Sequence, residues 1–263
     1  MFGSTSLVRW LNLVGIVKLE PIAYSSPMHE DATTRHYTGR AGREYHEVKR
    51  GIPPIALPWV AEARAEKLAR YVHPEDSVFE FGVGAGWNLA VLRCRSRLGH
   101  DISNHLEPAL KELGVGFVTE LEQVPGESQD IVLCHHSLEH ALEPAHVLRR
   151  LKWLLAPQGK LLLFVPFEDE RRHRHFSPAE PNHHLYSWNP QTLGNLVTEL
   201  GFEVTEAGLG RFTRDRFSAN WAVRLGAGRR GFRIIRRLAH IICPLEETRV
   251  VAVKSTETSR PEN

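Results

Sequence analysis

The chain has 263 residues, 42% of them hydrophobic and 24% charged, with a net charge of +2. That make-up excludes wholesale disorder, collagen-like repeats and a small disulfide-stapled scaffold, and at about 100–200 residues per domain the length suits one large domain or one domain with an appended segment. Cys94, Cys134 and Cys243 are odd in number, far apart and form no C-x-x-C pair, which excludes a zinc ribbon and a thioredoxin-like motif and favours a reducing compartment. No apolar run approaches the roughly 18 residues of a spanning helix, so a soluble, cytoplasmic protein is expected.

Residues 1–50 show little periodicity beyond a short amphipathic stretch at Leu7–Val14, and turn signals at Ser25-Ser26-Pro27 and Thr38-Gly39 mark them as an extension to the core. Val60, Ala63, Leu68 and Val72 have near-helical spacing, and Ser77–Phe81 then reads as a buried first strand followed at once by a glycine-rich turn. A helix is expected over Asn88–Arg95, a second strand over Leu98–Ile102, and a helix over Glu107–Leu113 closed by Gly114. Strands follow at Val115–Thr119 and Asp130–Cys134, then an amphipathic helix at Glu143–Leu155 and a fifth strand at Lys160–Val165. After a polar, histidine-rich loop, Pro166–Ser187, come a helix over Pro190–Leu200, a sixth strand opening at Gly201-Phe202-Glu203-Val204, and a last strand at Val250–Val253. Strands alternating with helices at this spacing predict an α/β fold, a doubly wound sheet with helices on both faces and ligands beyond the carboxyl ends of its strands.

The turn Glu80-Phe81-Gly82-Val83-Gly84-Ala85-Gly86 lies where a strand ends and lets a ligand approach the backbone. A dinucleotide fingerprint wants its last glycine at Trp87, whose bulk opposes tight packing there. Glu80 would repel a pyrophosphate and suits a ligand carrying an ammonium or sulfonium charge. Asp101, about 20 residues on, is placed to accept hydrogen bonds from both ribose hydroxyls.

At these residues the chain resembles the class I S-adenosylmethionine-dependent methyltransferases, with a methyltransferase domain of the type 11/23 kind. Val78–Gly86 is similar to their first motif and His100-Asp101-Ile102-Ser103 to their ribose-binding strand. Asp130–His140 resembles their fourth-strand motif and Leu154–Pro166 their helix-turn-fifth-strand segment, so that the resemblance spans roughly residues 74–205 in order. It implies a Rossmann-like seven-stranded sheet, mostly parallel with an antiparallel last strand, and S-adenosyl-L-methionine as cofactor. It further implies backbone contacts from Gly82 and Gly84 to the methionine part, with Glu80 and Gly86 in the same turn, Asp101 on the ribose, and Glu120-Leu121 beside the adenine. Thr119-Glu120-Leu121 departs from the aspartate that many relatives place after the third strand.

His136-Ser137-Leu138-Glu139-His140 spells H-x-x-E-H, a zinc-protease signature, but it lies at a strand end and lacks an evident third ligand, so no metal is assigned. His135 and His140 are either packed behind the cofactor or part of its pocket. Methyl transfer needs alignment and deprotonation of the acceptor, and histidine performs the second task near neutral pH. His183 and His184, with His140, are the base candidates; His136, Tyr186 and Trp188 are read as the acceptor wall, and the competing reading has the loop residues cap the following helix and face solvent. Tyr45, His46 and Lys49 stand in a segment that is either a lid over the cofactor or a solvated helix face.

The organisation expected is an N-terminal extension and possible lid over 1–50, a methyltransferase core over 51–210 and 245–256, an arginine-rich helical insertion over 211–244, and a disordered tail over 257–263. Between 211 and 240 nine arginines stand against Asp215 alone, and Gly226, Gly228 and Gly231 divide the insertion into two short helices. In the second, Phe232, Ile235, Leu238, Ala239 and Ile242 share one face and Arg233, Arg236 and Arg237 the other. Either that face packs on the sheet with its arginines snorkelling, or the helix lies on anionic membrane at its periphery. The expected acceptor is a small molecule, a saccharide or a lipid-linked molecule, and nucleic acid is not expected as a partner. The competing functions are a nicotinamide-dependent oxidoreductase and a non-catalytic cofactor-binding module; nothing in the sequence sets the oligomeric state.

Overall fold

Seven strands form one sheet in the order β3-β2-β1-β4-β5-β7-β6 in a computed structural model that describes residues 32–49, 51–168, 175–176, 182–212 and 214–255. The strands are β1 Ser77–Phe81, β2 Ser96–His100, β3 Gly116–Val118, β4 Gln129–His135, β5 Leu155–Pro166, β6 Phe202–Phe212 and β7 Leu245–Lys254. Pairing is parallel from β3 through β5, and β7 runs antiparallel to both β5 and β6. The predicted mostly parallel sheet with an antiparallel last strand is therefore what the chain forms. The chain divides into two units at Asp31/Ala32, and the described residues all belong to the second. Leu7–Val14, the tail 257–263 and Arg171–Arg174 lie outside the described residues.

Alternation along the central strands buries both faces, as a doubly covered sheet requires. One face carries Phe79, Val132, Cys134, Leu161 and Leu163 against Leu148, Leu151 and Leu154 of α5 (Pro144–Leu154) and Leu193 and Val197 of α6 (Pro190–Glu199). Four helices precede them among the described residues: α1 Ala32–Tyr37, α2 Gly39–Glu44, which runs into a π turn over Tyr45–Lys49, α3 Leu57–Leu68 and α4 Glu107–Glu112. The opposite face carries Val78, Ile131, Leu133, Leu162 and Phe164 against Leu68 of α3, Leu89 and Leu110. Asn189 caps α6 by accepting from the Thr192 N–H at 2.9 Å, which accounts for the helix start at Pro190. Between β6 and β7 stand α7 Asp215–Arg224 and α8 Gly228–Ile242. They pack on α3 through a third apolar cluster of Ala56, Val60, Ala63, Ala219, Ala222 and Phe232.

Several expectations need correction. No helix forms over Asn88–Arg95; the stretch is a series of turns. The Arg97 guanidinium takes the Leu89 and Ala90 carbonyls, at 3.3 and 2.5 Å, which a helix would need for its own ladder, and the Arg95 N–H goes instead to the Asp76 carbonyl at 2.9 Å. Starting from that bond, β2 pairs Ser96 with Ser77 and ends at His100, so Asp101 is the first residue beyond the strand. Helix α5 stops at Leu154, and β5 begins at Leu155 rather than Lys160, running through Pro157 and Gly159. β7 begins at Leu245, five residues before the apolar run starting at Val250, because polar Glu247 and Thr248 are also buried in it.

Candidate active site

Register brings the site residues together. Phe81 of β1 pairs with His100 of β2 on one side and Cys134 of β4 on the other, so the chain leaves the sheet at Gly82, Asp101 and His136 along one edge. Gly82, Gly84 and Gly86 have φ of 70°, 51° and 73°, the left-handed region that side chains disfavour. At Gly82 an added Cβ would lie 2.2 Å from Ser137 Oγ, whereas at Gly84 it would meet only His46 Cε1, at 3.7 Å. The turn is thus pressed against the loop after β4 at Gly82, while Gly84 leaves room for a Cβ beneath His46. Gly84 N–H donates to Asp101 Oδ2 at 3.0 Å and Ser103 N–H to Asp101 Oδ1 at 3.0 Å, which fixes the carboxylate between the two turns.

Glu80 is fully buried, accepts from Asn88 Nδ2 at 2.5 Å through Oε1, and has no partner for Oε2 among the described residues. Burial pushes its carboxyl up to about 8, opposed by the Asn88 hydrogen bond. Beside the turn a cleft of about 440 Å³ opens between the ends of β2 and β3, lined among others by His100, Ile102, Glu120, Leu121 and Arg150. Glu120 and Leu121 both line it; Gln123 Oε1 accepts from Glu120 N–H at 3.2 Å, and Arg150 donates to the Leu121 carbonyl at 3.3 Å.

These features fit S-adenosyl-L-methionine. The orphaned buried Glu80 oxygen suits a cationic ligand, the glycine at position 84 lets one approach the backbone, and the cleft presents Ile102 and Leu121 among polar side chains to a base. Asp101 keeps lone pairs on both oxygens for ribose hydroxyls. The segment 32–49 lies over this edge: Ser103 Oγ donates to the Tyr37 carbonyl, and His46 stands above Gly84. Tyr45 is buried in an edge-on stack with Tyr37, ring centroids 4.9 Å apart, so it is not on a solvated face.

The part of the edge beyond β4 is built of histidines held by distant elements. His135 and His136 stack with ring centroids 4.4 Å apart at the end of β4. Glu247 of β7 sits 3.3 Å from His136 Nε2 and 2.5 Å from Lys67 Nζ of α3, and Lys67 Nζ is 3.1 Å from His135 Nε2. Burial pushes the His135 imidazole well below its usual value, and Lys67 adds to that. Burial also lowers the Lys67 ammonium, against the pull of Glu247. Burial raises the Glu247 carboxyl, but His136 and Lys67 together outweigh it and leave it lowered. His136 has φ 54°, a strained position for a side-chain-bearing residue at the strand end.

Next to this group, Tyr37 Oη donates to the Asn182 carbonyl at 2.5 Å and lies 2.9 Å from His140 Nδ1. Since a hydroxyl donates once, this network assigns the His140 proton to Nδ1, with Nε2 3.8 Å from Glu139. His184 Nδ1 pairs with Glu168 Oε1 at 2.9 Å, and its ring meets that of His140 edge-on at 4.9 Å. His183 stacks on His36 at 5.5 Å. Tyr186 stacks on Trp188 at 5.5 Å and donates to the Leu142 carbonyl at 2.9 Å; Trp188 packs on the core beneath. Both hold the loop in place.

Among the described residues, two groups have ligand atoms within 4.8 Å of one another: His135, His136 and Glu247, and Glu139, His140 and His184. In the first the Lys67 ammonium already stands where a cation would. Lys67 and Glu247 were missed in the sequence. Lys67 falls seven residues after Val60 and four after Ala63, on the buried face of α3, which was the available signal.

A methyltransferase-domain family model matches residues 57–207, more than half of the chain. No curated protein sequence matches it. Among solved structures, the chain is similar to a protein of Bacillus halodurans C-125, with 16% identity over 74% of this chain and 100% of that one and a TM-score of 0.55. It is similar to a SAM-dependent methyltransferase of Thermotoga maritima (14% identity, 81% and 94% covered, TM-score 0.54). It is also similar to a Haemonchus contortus phosphoethanolamine N-methyltransferase in complex with phosphomonomethylethanolamine and S-adenosylhomocysteine (17%, 81% and 59%, 0.54). With the matched domain, the sheet order and a turn fitted to a sulfonium nucleoside, the chain belongs to the class I S-adenosylmethionine-dependent methyltransferases.

Proposed function

We propose that this enzyme methylates a hydroxyl or amine of a small-molecule, saccharide or lipid-linked acceptor seated over the ends of β4 and β5, with His184 as the base. The cofactor supplies an electrophilic methyl group on a sulfonium. Glu80, Gly82, Gly84 and Asp101 hold it, Glu120 and Leu121 flank its base, and Gly86 packs the turn on Leu110, whose side chain an added Cβ would meet at 2.5 Å.

The observation that carries the reading is the Glu168–His184 pair at 2.9 Å. A carboxylate on Nδ1 fixes the tautomer in which Nε2 is basic and stabilises the imidazolium formed when it takes the acceptor's proton. His140 holds its own Nδ1 proton against Tyr37 and orients the neighbouring ring. His183, stacked on His36, and His136, paired with Glu247, position the loop and the strand end on either side.

The test is release of S-adenosylhomocysteine with a panel of hydroxyl and amine acceptors, alongside calorimetric titration of the cofactor. His184→Gln is expected to lower kcat by about 100-fold or more while leaving cofactor affinity unchanged. No turnover with any acceptor, or equal turnover by His184→Gln, overturns the reading.

A further inference from the structure

Helix α8 is apolar around half its circumference, and only part of that arc is used inside the molecule. Phe232 is buried, and Ile235 packs on the cluster shared with α3 and α7. Ile234, Leu238, Ile241 and Ile242, at spacing four, three and one, form the rest of the arc and are 60%, 51%, 65% and 74% exposed. Leu238 and Ile242, on the same face as Phe232 and Ile235 in the sequence, are therefore on its open part. Helix α7 adds a second exposed ridge, Phe217, Trp221 and Leu225, at spacing four.

The arginines divide in the same way. Arg229, Arg233 and Arg236 pair with Glu62, Glu66 and Asp215 at 2.5, 2.7 and 2.8 Å and fasten the hairpin to α3 and to itself. Arg216, Arg224, Arg230 and Arg237 have no ion-pair partner among the described residues. Arg230 lies four residues before Ile234, and Arg237 four before Ile241, so both border the open arc. Exposed apolar side chains rimmed by unpaired cations are the features of a helix lying in the headgroup region of an anionic bilayer.

Topology sets where this surface is. β6 runs parallel to β5, and Phe212 at its end pairs with Leu245 at the start of β7. The hairpin joining them therefore stands at the sheet edge from which Gly82, Asp101 and His136 emerge. Trp87 of the glycine turn packs against the cluster that seats the hairpin, under Arg64 at 5.3 Å. A second copy of this chain is the poorer occupant, since a two-fold contact would bring like sets of arginines together.

We propose that the outer face of α7 and α8 docks the enzyme on anionic membrane, holding the active-site edge at the lipid surface. This inference stands independently of the acceptor, because vesicle binding is read without turnover and its failure leaves the methyltransferase reading intact.

The experiment is co-sedimentation of the full chain with phosphatidylglycerol–phosphatidylcholine vesicles, with pure phosphatidylcholine as the neutral arm. Binding is expected on the anionic vesicles only and should fall steeply with salt. Joint Arg230→Ala and Arg237→Ala substitution should weaken it by about tenfold or more. Joint Ile234→Ser, Leu238→Ser and Ile241→Ser substitution should abolish it with the thermal midpoint retained. In the unsubstituted protein, brominated lipid should quench a component of fluorescence that Trp221→Phe removes. Absence of binding at low salt, binding unaffected by these substitutions, or a dimer in sedimentation velocity that the serine variant dissociates would each overturn the proposal.

Discussion

The two halves of the site are made differently. The edge formed by β1, β2 and β3 is built from backbone: three positive-φ glycines and one carboxylate that ties Gly84 to Ser103 across 17 and two residues of chain. The edge formed by β4, β5 and β7 is built from side chains, with Lys67 and Glu247 meeting His135 and His136 from elements far apart in sequence. The first half varies with a turn's conformation, the second with the balance of buried charge. A single substitution should therefore cost binding in one and folding in the other.

The largest effect is expected at Glu247. Replacing it by Gln leaves the partly buried Lys67 ammonium without its anion, a loss of up to about 3–5 kcal/mol, the range for a fully buried broken pair. The thermal midpoint should drop by about 10 °C. Joint Lys67→Met and Glu247→Leu substitution should recover most of that, and a single variant as stable as the parent would show that the cluster is no structural unit. Gly84→Val should sharpen the contrast from the other side. Its Cβ has room, so the protein should keep a cooperative transition at a cost of about 1–2 kcal/mol for the left-handed backbone, while calorimetry detects no cofactor binding.

Asp101→Ala should weaken cofactor binding by about 10- to 100-fold, through ribose hydrogen bonds worth about 1.5–3 kcal/mol to a charged acceptor. Unchanged affinity in the folded variant would move the ribose elsewhere. The last effect, read as a slope with pH, concerns Glu80. Its carboxyl is raised from 4.5 to about 8 in the folded protein, so the unfolded chain gives up that proton first. Its contribution to the ligand-free protein's stability is complete below pH 4.5 and lost as pH rises toward 8. Glu80→Gln should remove that part of the decline in differential scanning calorimetry. A bound sulfonium favours the ionised form, so S-adenosyl-L-methionine should bind more tightly as pH rises to about 8 in the parent and not in the variant.

How much was legible beforehand follows the same division. The glycine turn after the first strand was readable because local spacing depends on residues near one another in sequence, whereas the antiparallel last strand followed from the family resemblance and not from periodicity. The helix expected over Asn88–Arg95 failed because Arg97 competes for its carbonyls, a contact no periodicity reveals. Glu247 was passed over because a buried carboxylate in a strand looks, in sequence, like the strand's polar approach.

By itself the sequence determined the alternation of strands and helices and the glycine turn after the first strand, since these rest on backbone conformation and nearest-neighbour side chains. Only the tertiary structure decided which histidine meets Glu168, which arginines of α8 are neutralised by α3 and which half of that helix stays open. Those outcomes depend on which distant carboxylates folding brings within reach, and the free energy of an ion pair is set by that distance and by burial, not by position along the chain.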